Sequence, residues 1–320
     1  MDKILITGAG GYIGTKMTAF FLSQGHFVTA FDRFFFGDTL ADLRGNKSLE
    51  IIKGDVRQIN KTHFKNVSTV IDLASISNDP SSELMPDITT SINLKAALRV
   101  AETAKNVGVK KFIFSSSCSI YGAGNGILNE KSKVAPLSTY AKCKIAAEEA
   151  LLKLADDKFC VTFLRNATVY GVSARRMRFD LIINIMTLHA WKNRKIFVMG
   201  QGSQWRPLVH IDDLIKAFHI VMKEQDTRKI NKQAFNVGSN DQNFTVFQIA
   251  NRFRNIFNGL IVELTPDDPD PRSYHVNFDK ICETLNFAAD KTIEDGILEV
   301  KHGLENGIIT DNISTRTVDY

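Results

Sequence analysis

A strand–glycine loop–helix–strand unit in the first 32 residues constrains the fold more than any other feature. Residues 3–7 form the continuous apolar run of a buried strand, and residues 26–31 predict a second strand that ends at Asp32. Between them, glycines at positions Gly8, Gly11 and Gly14 permit a tight turn, a close backbone approach to a pyrophosphate and close helix–strand packing. The unit therefore predicts that a dinucleotide binds at the N-terminus of the first helix.

Asp32 indicates which dinucleotide is bound. It ends the second strand, about 20 residues after the glycine loop, where a carboxylate can accept both hydroxyls of an adenosine ribose. Because a carboxylate would repel a 2′-phosphate, this position favours NAD over NADP. Arg33, directly after it, keeps NADP open as an alternative. Tyr12 and Ile13, within the loop, are further predicted contacts with the cofactor.

Apolar runs and helical patterns alternate through the next hundred residues. Strands are predicted at 49–56, 68–74 and 110–114, with a long helical pattern over 86–107. This alternation predicts an α/β fold with a Rossmann-like, doubly wound parallel sheet, whose ligands bind beyond the carboxyl ends of the strands. The candidate cofactor contacts at those ends, with one asparagine on the long helix, are Asp55, Val56, Leu73, Ala74, Ser75, Asn93 and Ser115. Asp55 could instead cap the helical stretch that follows it.

Tyr140 and Lys144 form the candidate catalytic pair. They are four residues apart on a predicted helix, so their side chains share one face. The ammonium would lower the pKa of the phenol toward the range in which a general acid/base works best. Ser117, at the end of the preceding strand, could hydrogen-bond the same substrate oxygen. In isolation the pair could equally be a surface lysine beside a half-buried tyrosine, and the dinucleotide loop favours the catalytic interpretation.

Composition limits the class of protein. The chain has 320 residues, 44% hydrophobic and 23% charged, as in ordinary globular proteins. Its four cysteines are scattered, which predicts free thiols in a reducing compartment, the cytoplasm, and no metal site. We expect no signal peptide and no membrane span. The net charge of +5 is spread out and suits an anionic small molecule better than nucleic acid. The basic cluster Arg175, Arg176 and Arg178 is interpreted as a solvated face rather than a phosphate site.

Four motifs in one order carry a resemblance to a known family. Besides the glycine loop and Tyr140-x-x-x-Lys144, the chain contains Ser115-Ser-Ser117 before Tyr121-Gly122, and Arg206-Pro-Leu-Val-His-Ile-Asp-Asp213. With these motifs it resembles the extended short-chain dehydrogenase/reductases and, within them, the nucleotide-sugar epimerase/dehydratase family. The resemblance spans nearly the whole chain.

The resemblance implies a redox mechanism on a sugar. Tyr140 would be the acid/base on the sugar oxygen, usually at C4, and Lys144 would also hold the nicotinamide ribose. Ser117 would hydrogen-bond the reacting oxygen while hydride passes between the sugar carbon and the nicotinamide. Tyr140 and Lys144 are therefore predicted to contact the cofactor as well as the substrate.

The substrate implied by the resemblance is a nucleotide-diphosphate sugar. Arg206 and Arg272 would bind its diphosphate, since guanidinium groups suit bidentate phosphate contacts. Many sugar epimerases have asparagine where this chain has Thr168, which leaves the exact placement of the substrate open. The remaining candidate substrate contacts are Ser77, Ser117, Ser119, Thr168 and Asn184.

Residues 117–119 narrow the type of reaction. The 4,6-dehydratases of the family carry carboxyl groups after the catalytic position, and this chain has Cys118 and Ser119 there. Relatives that epimerise C3 and C5 place a cysteine two residues after the serine, whereas Cys118 is one residue after Ser117 and is interpreted as a packed side chain. We therefore predict a C4 epimerase; the alternatives are an NAD(P)H-dependent 4-keto-6-deoxyhexose reductase and, less favoured, a non-catalytic dinucleotide-binding module.

Domain organisation and assembly follow from the same resemblance. We expect a Rossmann domain of residues 1–171, to which 205–238 return, and a smaller α/β nucleotide-sugar domain of residues 172–204 and 239–320. The helices from Pro86 and from Tyr140 resemble the pair that forms a four-helix bundle across the family's two-fold axis, so a homodimer is expected. A role in supplying precursors for polysaccharide biosynthesis is implied by the family alone.

Overall fold

The computed structural model describes residues 2–266, 270–312 and 315. In chain order its strands are β1 (Lys3–Thr7), β2 (Phe27–Asp32), β3 (Leu49–Lys53), β4 (Thr69–Asp72), β5 (Lys111–Ser117), β6 (Ala123–Leu128), β7 (Cys160–Asn166), β8 (Thr168–Tyr170), β9 (Lys195–Met199), β10 (Trp205–His210), β11 (Gln233–Val237), β12 (Asn243–Thr245), β13 (Ile261–Thr265) and β14 (Ser273–Val276).

The α-helices lie between and after these strands. They are α1 (Tyr12–Ser23), α2 (Asp79–Leu84), α3 (Pro86–Thr90), α4 (Ala97–Asn106), α5 (Thr139–Leu152), α6 (Ile182–Asn193), α7 (Ile211–Lys223), α8 (Thr227–Ile230), α9 (Val246–Arg252), α10 (Asp279–Leu285) and α11 (Ile293–Glu305). A π-helical segment, Ser91–Ala96, connects α3 to α4. Among the described residues, no helix has both the length and the hydrophobicity that a bilayer span requires.

The main sheet has the strand order β11-β7-β5-β4-β1-β2-β3. The neighbouring pairs among β1 to β5 are parallel, with Thr7 opposite Asp72 and Asp72 opposite Phe114. The predicted Rossmann-like α/β fold is therefore confirmed. Because these strands are parallel, their carboxyl ends lie along one edge of the sheet, where ligands of such folds bind.

Contacts between residues divide the chain into two compact units. The first comprises Met1–Ser117, Ser138–Arg165 and Ala217–Phe235, and the second comprises Cys118–Leu137, Asn166–Lys216 and Asn236–Tyr320. These boundaries differ from the predicted 1–171 with 205–238. Residues 118–137 carry β6, which pairs with β14, and residues 205–216 begin with β10, which pairs with β8 and β12. Strand pairing therefore assigns both segments to the second unit.

One hydrophobic core of the first unit lies between the sheet and the helices α4 and α5. Leu5, Val70 and Phe112 lie in register on β1, β4 and β5 and are fully buried. The helices present small or aliphatic side chains at helical spacing, namely Ala97, Val100, Ala101 and Ala104 of α4 and Ala147 and Leu151 of α5. Small side chains let the helices approach the sheet closely. The polar residues of α5 are thereby held next to the strands.

A buried ion pair connects α5 to the sheet within this core. Arg165 of β7 binds Glu148 of α5 with an Nη2–Oε2 distance of 2.7 Å, and the Ser116 hydroxyl donates to Glu148 Oε1 at 2.5 Å. Arg165 is 7% exposed and Glu148 5%. Because both charges are out of water, removal of either residue would leave the other as a buried charge without a counter-charge.

The second unit contains smaller sheets. They have the orders β12-β10-β8, β13-β9 and β14-β6. Its core gathers apolar residues of α6, α9 and α11 against β9 and β10, including Ile183, Ile249, Ile297 and Leu208.

The interpretation of the basic cluster as a solvated face is wrong for two of its three members. Arg176 and Arg178 are 3% and 9% exposed. Arg178 forms an ion pair with Asp180 at 2.5 Å, and Arg176 donates to the Met177 carbonyl oxygen. Arg175 is exposed, as predicted. The sequence pattern alone did not show that these two guanidinium groups are buried.

We predict that Glu148→Gln lowers the free energy of unfolding by about 3–5 kcal/mol, because it leaves the Arg165 charge buried without a carboxylate. Glu149→Gln, on the exposed face of the same helix, is the matched control and should change it by about 0.5 kcal/mol or less. Urea denaturation followed by circular dichroism measures both. Equal midpoints for the two variants would show that the buried pair does not stabilise the fold.

Candidate active site

The glycine loop brings the ends of β1 and β4 into contact. Gly8 has a φ of +71°, and a Cβ at this position would lie 2.8 Å from the backbone nitrogen of Ala74. A Cβ at Gly14 would lie 2.1 Å from the Gly8 carbonyl oxygen. Gly11 caps the N-terminus of α1 and offers no side chain to its N–H groups. The loop is thus closed to side chains, and its backbone can approach a pyrophosphate as predicted.

Asp32 is fixed beside this loop. Its Oδ2 accepts the Gly10 N–H at 3.1 Å and its Oδ1 accepts the Phe34 N–H at 2.6 Å. Each carboxylate oxygen has a further lone pair, so the geometry fits two ribose hydroxyls. Arg33, whose side chain is 55% exposed, forms an ion pair with Asp55 at 3.5 Å. The residues present therefore fit the adenosine half of NAD.

Asp55 has the capping role that was the alternative to a cofactor contact. Its side chain accepts the Arg57 N–H at 2.9 Å and so caps the short 3₁₀ turn Val56–Gln58. The Arg57 guanidinium, through its hydrogen bonds, lowers the pKa of Asp55 to about 2, against the opposing effect of burial. Val56 is 8% exposed and packs in the core. Contact of either residue with the adenine stays a prediction.

Asn93 fixes the loop after β4. It lies in the π-helical segment and is 1% exposed. Its Oδ1 accepts the Ile76 N–H at 2.8 Å and its Nδ2 donates to the Ile76 carbonyl oxygen at 3.0 Å. Single-turn π segments occur frequently at functional sites. The predicted cofactor contacts Leu73, Ala74 and Ser75 and the predicted substrate contact Ser77 all belong to the stretch that Asn93 holds.

The candidate catalytic residues meet at the carboxyl end of β5. Lys144 Nζ donates to the Ser115 carbonyl oxygen at 2.7 Å and lies 4.7 Å from the centre of the Phe114 ring. It lies 5.6 Å from the centre of the Tyr140 ring, so the two predicted partners share a face of α5. Ser117, half-buried, ends β5 two residues beyond Ser115.

Burial controls the charge of Lys144. The residue is 2% exposed, and burial lowers its pKa from 10.5 to about 8. Asp72, Cys143 and Glu148 act in the opposite direction by favouring the ammonium. Neutral pH is only about one unit below this pKa, so most of the Lys144 side chains are protonated there.

The short helix α2 holds the first turn of α5, which carries Tyr140. Ser138 caps α5 by accepting the Ala141 N–H at 3.2 Å. Glu83 accepts the Thr139 N–H at 2.6 Å, and the Ser82 hydroxyl accepts the Tyr140 N–H at 3.2 Å. The first N–H groups of a helix have no acceptor within the helix. Those of Thr139 and Tyr140 are bonded to side chains of α2. The helix α2 was not predicted from the sequence, although Asn78-Asp-Pro80 is a helix-start signal.

The two predicted diphosphate-binding arginines lie together in the second unit. Arg206, 8% exposed, has its Nη2 3.0 Å from Asp270 Oδ2, and Arg272 Nε donates to Asp270 Oδ1 at 2.8 Å. Burial, the largest single cause, acts to raise the pKa of Asp270, but the hydrogen bonds from Arg272 and the charges of Arg272 and Arg206 together outweigh it, so the pKa lies below its ordinary value. The arrangement is a pair of guanidinium groups facing one anion. Asp270 was not predicted as part of this group.

The other predicted substrate contacts of the second unit are Asn184, Ser119 and Thr168. Asn184 is 0% exposed, accepts the Gly171 N–H at 3.1 Å and donates to the Arg178 carbonyl oxygen at 3.0 Å. Ser119 is 5% exposed, and Thr168 is half-buried at the start of β8. Their contact with a substrate stays a prediction. Cys118 is 1% exposed, as expected of a packed side chain.

Comparisons with known proteins agree with this geometry. Residues 4–238 match the model of the NAD dependent epimerase/dehydratase family. The chain is 26% identical to the UDP-glucuronate 4-epimerase of Thermodesulfobacterium geofontis over 316 residues, 93% of this chain and 94% of that protein. It is 30% identical to the UDP-N-acetyl-alpha-D-glucosaminuronate decarboxylase of Bacillus cytotoxicus over 258 residues, 75% and 76% of the two chains.

A solved structure, MoeE5 in complex with UDP-glucuronic acid and NAD, superposes with a TM-score of 0.84 at 25% identity, covering 95% of this chain and 99% of that one. The family description also names NAD, the predicted cofactor. Since the family model spans well over half of the sequence, the chain belongs to the NAD-dependent epimerase/dehydratase family, enzymes of the extended short-chain dehydrogenase/reductase type, as its motifs predicted.

Proposed function

We propose that the protein is an NAD-dependent epimerase that inverts C4 of a UDP-hexose through a 4-keto intermediate. The observation that carries the proposal is the position of the Lys144 ammonium, bound to the Ser115 carbonyl oxygen and 5.6 Å from the Tyr140 ring. Two of the similar proteins support the reaction and the uridine nucleotide. The protein of Thermodesulfobacterium geofontis is a UDP-glucuronate 4-epimerase, and MoeE5 is solved with UDP-glucuronic acid and NAD.

Each residue of the pair would have a defined task. Bound NAD would supply the hydride acceptor for the sugar carbon and, once reduced, the hydride donor to the opposite face of the keto sugar. Tyr140 would take the hydroxyl proton as that carbon is oxidised and return a proton to the oxygen after the keto sugar has turned over. Ser117 would hold this oxygen by a hydrogen bond. The Lys144 ammonium would stabilise the negative charge that develops on the phenol oxygen.

The arginine pair of the second unit would bind the diphosphate. Arg206 and Arg272 already face a carboxylate, Asp270, which is an anion of similar hydrogen-bonding character. Binding energy from this remote group would orient the sugar without changing the chemistry. Ser77, Ser119, Thr168 and Asn184 remain proposed contacts of the sugar and nucleotide.

The alternatives have less support. A 4-ketoreductase would release oxidised cofactor at each turnover, whereas the named relatives include a 4-epimerase and a decarboxylase and no reductase. A non-catalytic dinucleotide-binding module would have no need of Ser117, Tyr140 and Lys144, which the chain retains.

The proposed reaction is tested with UDP-glucose and UDP-glucuronate, without added cofactor, by proton NMR. We expect the C4 epimer of at least one of them. Tyr140→Phe should lower the rate by about 10²–10⁴ while the content of bound dinucleotide is unchanged. Tyr170→Phe, which removes a buried hydroxyl bonded to Gln242, is the matched control and should retain the rate. Loss of CO₂, or a strict requirement for NADPH, would contradict the proposal.

We also propose a homodimer, in the cytoplasm, that supplies a precursor for polysaccharide biosynthesis. Exposed apolar side chains on α3 and at the end of α5, Ile88 (40%) and Leu152 (42%), support the dimer, and the free cysteines support a reducing compartment.

Sedimentation velocity at micromolar concentration should give a dimer of twice 35.8 kDa. Ile88→Arg should shift it toward the monomer, because a charge would be buried at the proposed interface. Phe197→Arg, at a similarly exposed apolar residue of the second unit (47%), should leave it unchanged. A wild-type monomer would refute the dimer without affecting the proposed reaction.

A further inference from the structure

Asp72 is a buried carboxyl group that the proposed mechanism does not use. It ends β4 and is 2% exposed. Its Oδ1 accepts a hydrogen bond from the Thr7 hydroxyl, and the Thr7 oxygen in turn accepts the Ala74 N–H at 3.3 Å. Its Oδ2 is buried and makes no hydrogen bond to any residue that the structure describes. A carboxylate so far from water requires a nearby positive charge or neutralisation.

The sheet register places Asp72 on the face of the sheet that Lys144 covers. Asp72 is opposite Phe114 in the parallel pair of β4 and β5, and residues in register on neighbouring parallel strands point to the same side. The Phe114 ring lies 4.7 Å from Lys144 Nζ. Val70, two residues before Asp72, packs in the same core as Ala147 of α5, which confirms the side.

The other titratable groups around Lys144 have partners of their own. Cys143 and Glu148 approach it from α5, and β5 contributes the Ser115 carbonyl oxygen and the Phe114 ring. Glu148 binds Arg165 and Ser116, and the Cys143 thiol is bonded to Thr90. Asp72, from β4, is the carboxyl group facing Lys144 that is not committed to an arginine.

We propose that Asp72 is a positioning residue for the reaction, whose carboxylate is the counter-charge that keeps Lys144 protonated and seated on the Ser115 carbonyl oxygen. The proposal rests on the proposed function, because there the ammonium acts beside Tyr140. A second consequence concerns the edge of the sheet: Thr7 belongs to the strand that leads into the glycine loop, so the Asp72 carboxyl group that faces Lys144 is hydrogen-bonded to that strand.

The direction of the pKa values agrees with this assignment. Burial raises the pKa of Asp72 to about 6, while the Thr7 hydroxyl and Lys144 act to lower it. Burial lowers the pKa of Lys144 to about 8, while Asp72 acts to raise it. Between about pH 6 and pH 8, Asp72 is therefore ionised and Lys144 protonated. Below that range the counter-charge is lost, and above it the ammonium is lost.

Titration of Lys144 in the ligand-free protein tests the proposal without any substrate. Lysine labelled with ¹³C at Cε is followed by NMR across pH 5–11, and the Lys144 signal is assigned by its absence in Lys144→Met. Asp72→Asn, which keeps the shape and a hydrogen-bond acceptor for Thr7, should lower the midpoint of Lys144 by at least about one pH unit, a tenfold change in its protonation constant. Glu149→Gln removes a charge from the exposed face of α5 and should not move it.

A reciprocal measurement keeps the test decisive if Asp72→Asn does not fold. Because coupling between two titrating groups is mutual, Lys144→Met should raise the midpoint of the ¹³C-labelled Asp72 carboxyl by a similar amount. An unchanged Lys144 midpoint in Asp72→Asn, or an unchanged Asp72 midpoint in Lys144→Met, would overturn the proposal.

The pH profile of the reaction separates this proposal from the proposed function. In Asp72→Asn the alkaline limb of the rate profile should move to lower pH by the same amount as the Lys144 midpoint. If the midpoints move but neither wild type nor variant epimerises a UDP-hexose, the counter-charge stands and the proposed function fails. If wild type epimerises a UDP-hexose and the rate profile of Asp72→Asn is unshifted, the proposed function stands and the role of Asp72 as counter-charge fails.

Discussion

The burial of one ammonium group, that of Lys144, is the constraint on which the candidate site depends. An amino group out of water is stable in its charged form only with a hydrogen-bond acceptor and a counter-charge nearby. Here the acceptor is the Ser115 carbonyl oxygen at the end of β5, reached from α5. The alanines of α4 and α5 permit the close helix–sheet packing that this contact requires.

The first unit combines the cofactor loop and the catalytic pair on one framework. Parallel strands bring the glycine loop, Asp32 and Ser117 to the same edge of the sheet, although they are far apart in sequence. The second unit carries Arg206 and Arg272, the arginines proposed to bind the diphosphate. In the proposed reaction, proton chemistry and anion recognition would therefore depend on residues of different cores.

The features predictable from the sequence are those with short-range physical causes. The β1–α1–β2 unit and the shared face of Tyr140 and Lys144 follow from glycine conformations, apolar periodicity and helix spacing. The hydrogen bonds between α2 and the start of α5, and the burial of Arg176, were not predicted, because both depend on residues that the fold brings together. The pairing of β6 with β14 joins segments about 150 residues apart, and no local pattern encodes it.

In the proposed reaction one hydride leaves and returns to the same sugar carbon within a single turnover. Epimerisation of UDP-hexose labelled with deuterium at C4, followed by mass spectrometry and NMR, is the experiment to make first. We expect the epimer to keep its deuterium at C4, because cofactor that stays bound returns the atom it removed. Product that has lost the label to solvent, or a stoichiometric release of reduced cofactor, would contradict it.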